Sequence, residues 1–193
     1  MRIGTFLLGM AISLAATTLS AATPSTPTPV PARPGPVLCA PGVKCSPYKH
    51  QLSVPAHALS YTDSAAFALH HRGINWLAKP GMMTFTVHRP KDFPAGGKIR
   101  LTVFHQVYSD APGTIQFTIE PMAFNSGNSF ETYGSQGTNT VPAPESPTIM
   151  LQQSVVIAPG NGWNPNNDWW YFELKRQGTF EGGLRVMSVA IDY

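Results

Sequence analysis

The sequence predicts an all-β protein: a two-sheet antiparallel β-sandwich, jelly-roll-like, of about eight strands. Three observations carry that prediction. From residue 48 onward, apolar and polar residues alternate with period two in short runs, the pattern of strands that bury one face. Turn sequences rich in Gly, Pro, Asn and Asp separate the runs. No window shows an apolar stripe at helical spacing. With 17 Gly, 19 Pro and only 12% charged residues among 193, the chain is also ill suited to a helical bundle, which needs charged faces and few breakers.

In chain order, the first element is a leader. Arg2 is followed by an apolar stretch over 3–16, and the small residues Ser20, Ala21 and Ala22 fit a cleavage site, so 1–22 reads as a secretory signal peptide. The uncharged run over 3–22 approaches the length of a membrane helix. However, Thr17, Thr18 and Ser20 dilute its end and no basic group follows, so no stable membrane span is expected after cleavage. Residues 23–47 hold eight prolines (24, 27, 29, 31, 34, 36, 41 and 47), which fix φ and remove amide donors; a semi-rigid spacer is expected. Cys39 and Cys45 are the only cysteines. In an exported chain they are expected to form one disulfide around a short loop, worth about 2–3 kcal/mol in the chain-entropy model. The expected location is secreted or periplasmic, with the sandwich domain spanning 48–193.

Eight strands are read within that domain. They cover 64–69 (Ala65, Phe67 and Leu69 on one face), 74–78, 83–89 (Met83, Phe85, Val87), 98–108 (Ile99, Leu101, Val103, His105, Val107), 114–123 (Ile115, Phe117, Ile119), 148–158 (Ile149, Leu151, Val155, Ile157), 169–176 (Trp170, Phe172, Leu174) and 184–193 (Met187, Val189, Ile191, Tyr193). Segments 109–113 and 177–183 have hairpin chemistry. Residues 125–147, rich in Gly, Ser, Asn and Thr, read as one long irregular loop, a kind of segment that is often a binding loop.

Two pieces, Met83-Thr84-Phe85-Thr86-Val87 and Lys98-Ile99-Arg100-Leu101-Thr102-Val103-Phe104, resemble the central strands of small β-sandwich modules in phage virion and tail proteins and in secreted bacterial proteins. Residues 168–176 and 184–193 resemble the last two strands of such modules. There a Gly-Asp turn leads into an apolar strand ending in Arg, and a terminal strand ends in an aromatic. Asn167 stands here where the Gly would be. The resemblance covers 61–193 and implies a structural or surface-attachment module rather than a reaction.

The chemistry visible in the residues is sparse. The formal charge of +3, without a Lys/Arg cluster, argues against nucleic acid as a partner. His70 and His71 are neighbours that point to opposite faces of a strand, and no His-x-His with a carboxylate exists, so no metal or other cofactor is expected. His105 falls on the apolar face of its strand, where a hydrogen-bonded core histidine is expected. The ten carboxylates are scattered singly, and no nucleophile elbow or phosphate-binding glycine loop is present. The best binding candidate is the run Trp163, Asn164, Asn166, Asn167, Asp168 and Trp169, with Trp163 and Trp169 as exposed flat faces and the amides as directional donors and acceptors. The same polar cluster has the oxygen chemistry to hold Ca²⁺. The expectation is therefore a secreted, non-catalytic binding or structural module at an extracytoplasmic surface, with a glycan or another cell-surface component as partner. The rival is a jelly-roll carbohydrate-active enzyme, a lyase or hydrolase, using His105, Tyr108 and Arg100.

Overall fold

The computed structural model describes residues 48–77, 81–127, 133–147, 149–160 and 162–193. These residues all belong to one compact unit; the other unit, Met1–Val43, lies outside them. The expected signal peptide 1–22, linker 23–47 and Cys39–Cys45 loop fall outside the described residues.

The described residues form strands β1 (Gln51–Pro55), β2 (Ser60–Tyr61), β3 (Phe67–His70), β4 (Gly73–Trp76), β5 (Met82–His88), β6 (Ile99–Val107), β7 (Thr114–Phe124), β8 (Gly137–Pro142), β9 (Met150–Ile157), β10 (Trp169–Gln177) and β11 (Leu184–Asp192), with one 3-10 turn at Ala56–Ala58. They pair antiparallel into two sheets. One has the order β3-β4-β11-β6-β9 with β1 also on β11; the other has the order β2-β5-β10-β7-β8. The protein is an all-β sandwich, as the alternation requires. All eight expected strands are present, with shifted ends, and three more join them.

The three additions share a cause. β1 carries only two apolar side chains before its proline, β2 is two residues long, and β8 is Gly-Thr-Asn-Thr-Val-Pro with Val141 as its sole large apolar residue. Residues 125–147 are thus not one irregular loop: β8 runs along β7 as an edge strand, where polar residues and a terminal proline are tolerated. Side chains fix it. Asn139 Nδ2 donates to the Ser154 carbonyl at 2.8 Å, and Gln153 Nε2 donates to the carbonyls of Asn139 and Ile115, both at 3.1 Å. Gln153 interrupts the apolar inward row of β9 for that purpose and is buried.

The core lies between the sheets. Trp76 meets Phe67 at 4.9 Å and Phe117 at 6.1 Å, Phe85 stacks on Phe172 at 5.0 Å, and Trp170 meets Phe93 edge-on at 4.8 Å, geometry that aromatic pairs favour. Phe93, Trp163 and Phe180, all from connections, are also buried. Several inward assignments need correction. Leu69 is exposed because β3 is an edge strand, Ala65 lies in the turn before it, and Ile149 is exposed ahead of β9. In β11 the register slips between Val186 and Ser188. That bulge makes Leu184, Val186, Val189 and Ile191 the inward set and leaves Met187 only half-buried. His105 is buried as expected, but neither ring nitrogen has a hydrogen-bond partner of good geometry.

Candidate functional site

Of the run singled out by sequence, the structure keeps one half as surface and turns the other into scaffold. Trp163 is 2% exposed and packs on Trp170 and Phe172, so it is a core residue and not an exposed platform. Its connection is closed by paired Gly160–Trp163 backbone bonds. The amides are spent on the loop. Asn164 Oδ1 accepts the Asn166 amide at 3.1 Å, and Asn166 Oδ1 accepts the Gly96 amide at 3.0 Å. Asn167 Nδ2 donates to the Ala123 carbonyl at 2.9 Å, and Asn125 Oδ1 accepts the Asp168 amide at 2.8 Å. The first is the bond an Asx turn makes with its own backbone; the other three tie the loop to the segments around Gly96 and Asn125. Asp168 remains exposed, with Arg89 Nη2 4.0 Å from its Oδ1. Trp169 is 40% exposed, and His88 stands edge-on to it at 4.9 Å.

Trp169 opens a row that the alternation of β10 dictates. Trp170, Phe172 and Leu174 face the core, so Trp169, Tyr171, Glu173 and Lys175 face outward on the five-stranded sheet. Register sets the neighbours of each. Trp169 lies between His88 and Phe124, Tyr171 between Thr86 and Met122, Glu173 between Thr84 and Glu120, and Lys175 between Met82 and Thr118. Directly opposed carboxylates repel. Here the Lys175 ammonium answers both, with Nζ 2.6 Å from Glu120 Oε2 and 3.2 Å from Glu173 Oε2. Burial alone would lower the Lys175 pKa, but its bonds to Glu120 and Glu173 outweigh that and raise it.

Glu173 is the centre of the cluster, its side chain only 8% exposed. Its Oε1 accepts the Tyr133 hydroxyl at 2.8 Å and the Tyr171 hydroxyl at 3.3 Å. The Tyr133 pKa is raised, chiefly by that hydrogen bond. The Tyr171 pKa is raised by burial and then by the Glu173 charge, with Thr84 pulling the other way. Tyr133 reaches the sheet from the segment before β8, whose Gly134 amide bonds the Pro121 carbonyl at 2.7 Å. A strand residue presents both backbone groups to one side, so Pro121 directs its missing N–H toward this segment and away from β10. A Cβ on Gly134 would lie 2.6 Å from Trp163 Cβ; the absence of a side chain there lets the segment sit close and aim Tyr133 across β7.

The face therefore joins exposed ring surface at Trp169 and Tyr133 to a carboxylate–ammonium–phenol cluster. Sequence reasoning named only Trp169 of this group as a binding residue. The outward parity of Tyr171, Glu173 and Lys175 was readable from β10; the contribution of Tyr133 and the meeting with Glu120 were not.

The rival catalytic set does not converge. Arg100 and Tyr108 leave the outer side of the six-stranded sheet, whereas His105 points between the sheets, edge-on to Phe117 at 5.0 Å. Arg100 is held by Asp192, with Nε and Nη2 each 2.8 Å from Oδ2, and lies over the Tyr48 ring at 4.9 Å. Among the described residues no three His, Cys, Asp or Glu side chains are placed to hold a metal ion, and no helix is long and apolar enough to cross a membrane.

No family model and no curated protein matches the chain. Solved structures do. An isomalto-dextranase from Arthrobacter globiformis T6, complexed with panose, matches with TM-score 0.50 at 13% identity over 74% of this chain and 23% of that one. A family 35 carbohydrate-binding module from Clostridium thermocellum matches with TM-score 0.46 at 12% identity, covering 74% of this chain and 97% of the module. The xylan-binding module CBM15 matches with TM-score 0.46 at 14% identity, covering 74% and 95%. The likeness is one of fold: a small β-sandwich module. The resemblance to phage virion and tail modules is not shown by these structures.

Proposed function

We propose that the chain is a non-catalytic glycan-binding module acting outside the cytoplasm, and that the outward row of β10 is its binding face. One observation carries this reading: Trp169 and Tyr171 lie two strand positions apart on one face, continuous with Glu173, Lys175, Glu120 and Tyr133. A sugar ring has an apolar face that stacks on an aromatic ring and a rim of hydroxyls that hydrogen-bond to charged groups. An outward aromatic beside the partly exposed Lys175 ammonium, Glu120 carboxylate and Tyr133 ring offers both, on a rigid sheet that needs little ordering on binding. The signal-peptide pattern over 1–22 supports an exported location.

The test is affinity electrophoresis or calorimetry of the full chain against neutral polysaccharides. Trp169→Ala is expected to weaken binding roughly tenfold or more, equivalent to about 1.4 kcal/mol, with the fold intact. Tyr171→Ala is expected to act in the same direction. Trp163→Ala is expected to unfold the chain instead of altering a site. Binding that survives both Trp169→Ala and Tyr171→Ala in folded protein would remove the row from the account.

A further inference from the structure

The pair His70-His71, expected to point to opposite faces of a strand, does not diverge: β3 ends at His70, His71 lies in the turn that follows, and the two rings meet at the far edge of the six-stranded sheet. The β3–β4 connection is His71-Arg72, and it is pressed against β11: Gly73 has φ 150°, and a Cβ there would collide with the Val186 carbonyl oxygen. The His70 and His71 ring centroids are 4.1 Å apart with the planes tilted by 34°, and the Arg72 amide donates to His70 Nδ1 at 3.2 Å. His57, from the 3-10 turn, places Nε2 2.8 Å from the His70 carbonyl. One row along, Asn75 pairs in register with both Ala68 and Arg185, and Arg185 Nε donates to Asn75 Oδ1 at 2.9 Å. Beyond it, Arg185 lies over the Tyr108 ring at 5.7 Å.

Three histidines and two arginines thus gather on one end of one sheet. Among the described residues neither Arg72 nor Arg185 forms an ion pair. Desolvation, and then the positive charges of Arg185, His71 and Arg72, hold the His70 pKa below the ordinary histidine value; no carboxylate acts against them. Such a patch is complementary to an anion. Beside the cations lie a half-exposed aromatic, Tyr108, and two outward amides, Gln106 and Asn75. A uronic-acid or sulfated sugar ring presents an apolar face, hydroxyls and a charged group together. The flat guanidinium forks suit a carboxylate. A nucleic acid backbone calls for more cationic charge than the chain carries.

We propose that this end of the six-stranded sheet is a separate binding surface for acidic polysaccharide, read by Arg72, Arg185 and Tyr108 and strengthened as His70 protonates. The surface does not depend on the β10 row. Linkage makes the effect reciprocal: a bound anion draws His70 toward the charged form.

The experiment measures binding of the full chain to polygalacturonate at pH 5.5 and pH 8.0, with a neutral xylan and phosphatidylglycerol vesicles as comparators. Polygalacturonate stays ionised at both pH values. The expected result is roughly tenfold tighter binding at pH 5.5, weakened by added salt. Arg72→Ser on the exposed turn, and Arg185→Ser where it folds, are expected to abolish most of it, while Trp169→Ala leaves it intact. His70→Gln is expected to flatten the pH dependence, and polygalacturonate is expected to move the His70 ring titration upward in NMR spectra. Binding indifferent to pH or to Arg72→Ser, or equal binding to the vesicles, would overturn the proposal. Loss of acidic binding in Trp169→Ala with retention in Arg72→Ser would assign the acidic glycan to the β10 face instead.

Discussion

His105 shows how a single residue couples packing to solution conditions. Its ring fills a place between β6 and the Phe117 ring with no hydrogen-bond partner of good geometry for either nitrogen. Burial pulls its pKa down to about 4; the Val103 backbone favours the charged ring slightly, and the Arg176 charge disfavours it. In the unfolded chain the ring titrates near its ordinary value, so below about pH 6.5 the unfolded state gains a proton that the folded state refuses. Stability is therefore full above pH 6.5 and falls as pH drops toward 4, by up to about 3 kcal/mol. Urea unfolding at pH 7.5 and pH 4.5 checks this. His105→Leu, close in volume and without a titrating group, is expected to remove most of the difference. Arg176 is the companion case: its buried guanidinium donates to the carbonyls of Phe180 at 2.7 Å, Gly182 at 2.6 Å and Trp76 at 3.4 Å, and among the described residues no carboxylate pairs with it. Desolvation lowers its pKa to about 10, so it remains charged and serves to fasten the β10–β11 connection.

At the scale of the element, that same connection depends on its first residue. Gly178 has φ 88°, and a Cβ on it would collide with the Thr114 carbonyl oxygen. The strand edge leaves the neighbour no freedom to retreat, because Phe180 N bonds that oxygen at 2.9 Å and Thr179 Oγ1 accepts the Thr114 amide at 2.9 Å. Gly96 provides the comparison, with φ 66° and nothing within 4 Å of a built Cβ. Gly96→Ala bears only the backbone cost, about 1 kcal/mol, whereas Gly178→Ala adds a clash and is expected to lose roughly 2–4 kcal/mol. Thermal unfolding of the two variants side by side measures the difference. Equal losses would mean that the clash relaxes freely. β8 teaches the complementary lesson: an element with almost no apolar residues persists because Asn139 and Gln153 tie it to β9 across the sandwich edge.

For the molecule as a whole, the centre of each sheet is assembled from chain segments far apart in sequence. β11, the last strand, pairs with β1, β4 and β6; β10 pairs with β5 and β7. No sheet closes until the C-terminal strands arrive, which places folding in the slow, non-local class. Amide exchange followed by NMR is expected to find the backbone of β6, β10 and β11 most protected, and β2 and β3, short strands at sheet edges, exchanging first by local opening. Uniform protection across all strands would contradict that hierarchy.

Local pattern alone fixed the class of fold and eight strand positions, because a strand with one wet and one dry face writes that difference into every second residue. It also fixed the outward parity of Trp169, Tyr171, Glu173 and Lys175. What it did not contain were relations between strands. The bulge in β11 reassigned Met187, edge position exposed Leu69, and the packing of a connection took Trp163 out of the surface and into the core. The encounters of Glu120 with Glu173, of Tyr133 with Glu173, and of His70 with Arg185 join residues 40 or more positions apart. Only register and sheet order bring such groups within reach, since the energy of those contacts belongs to neighbours in space and leaves no mark on neighbours in sequence.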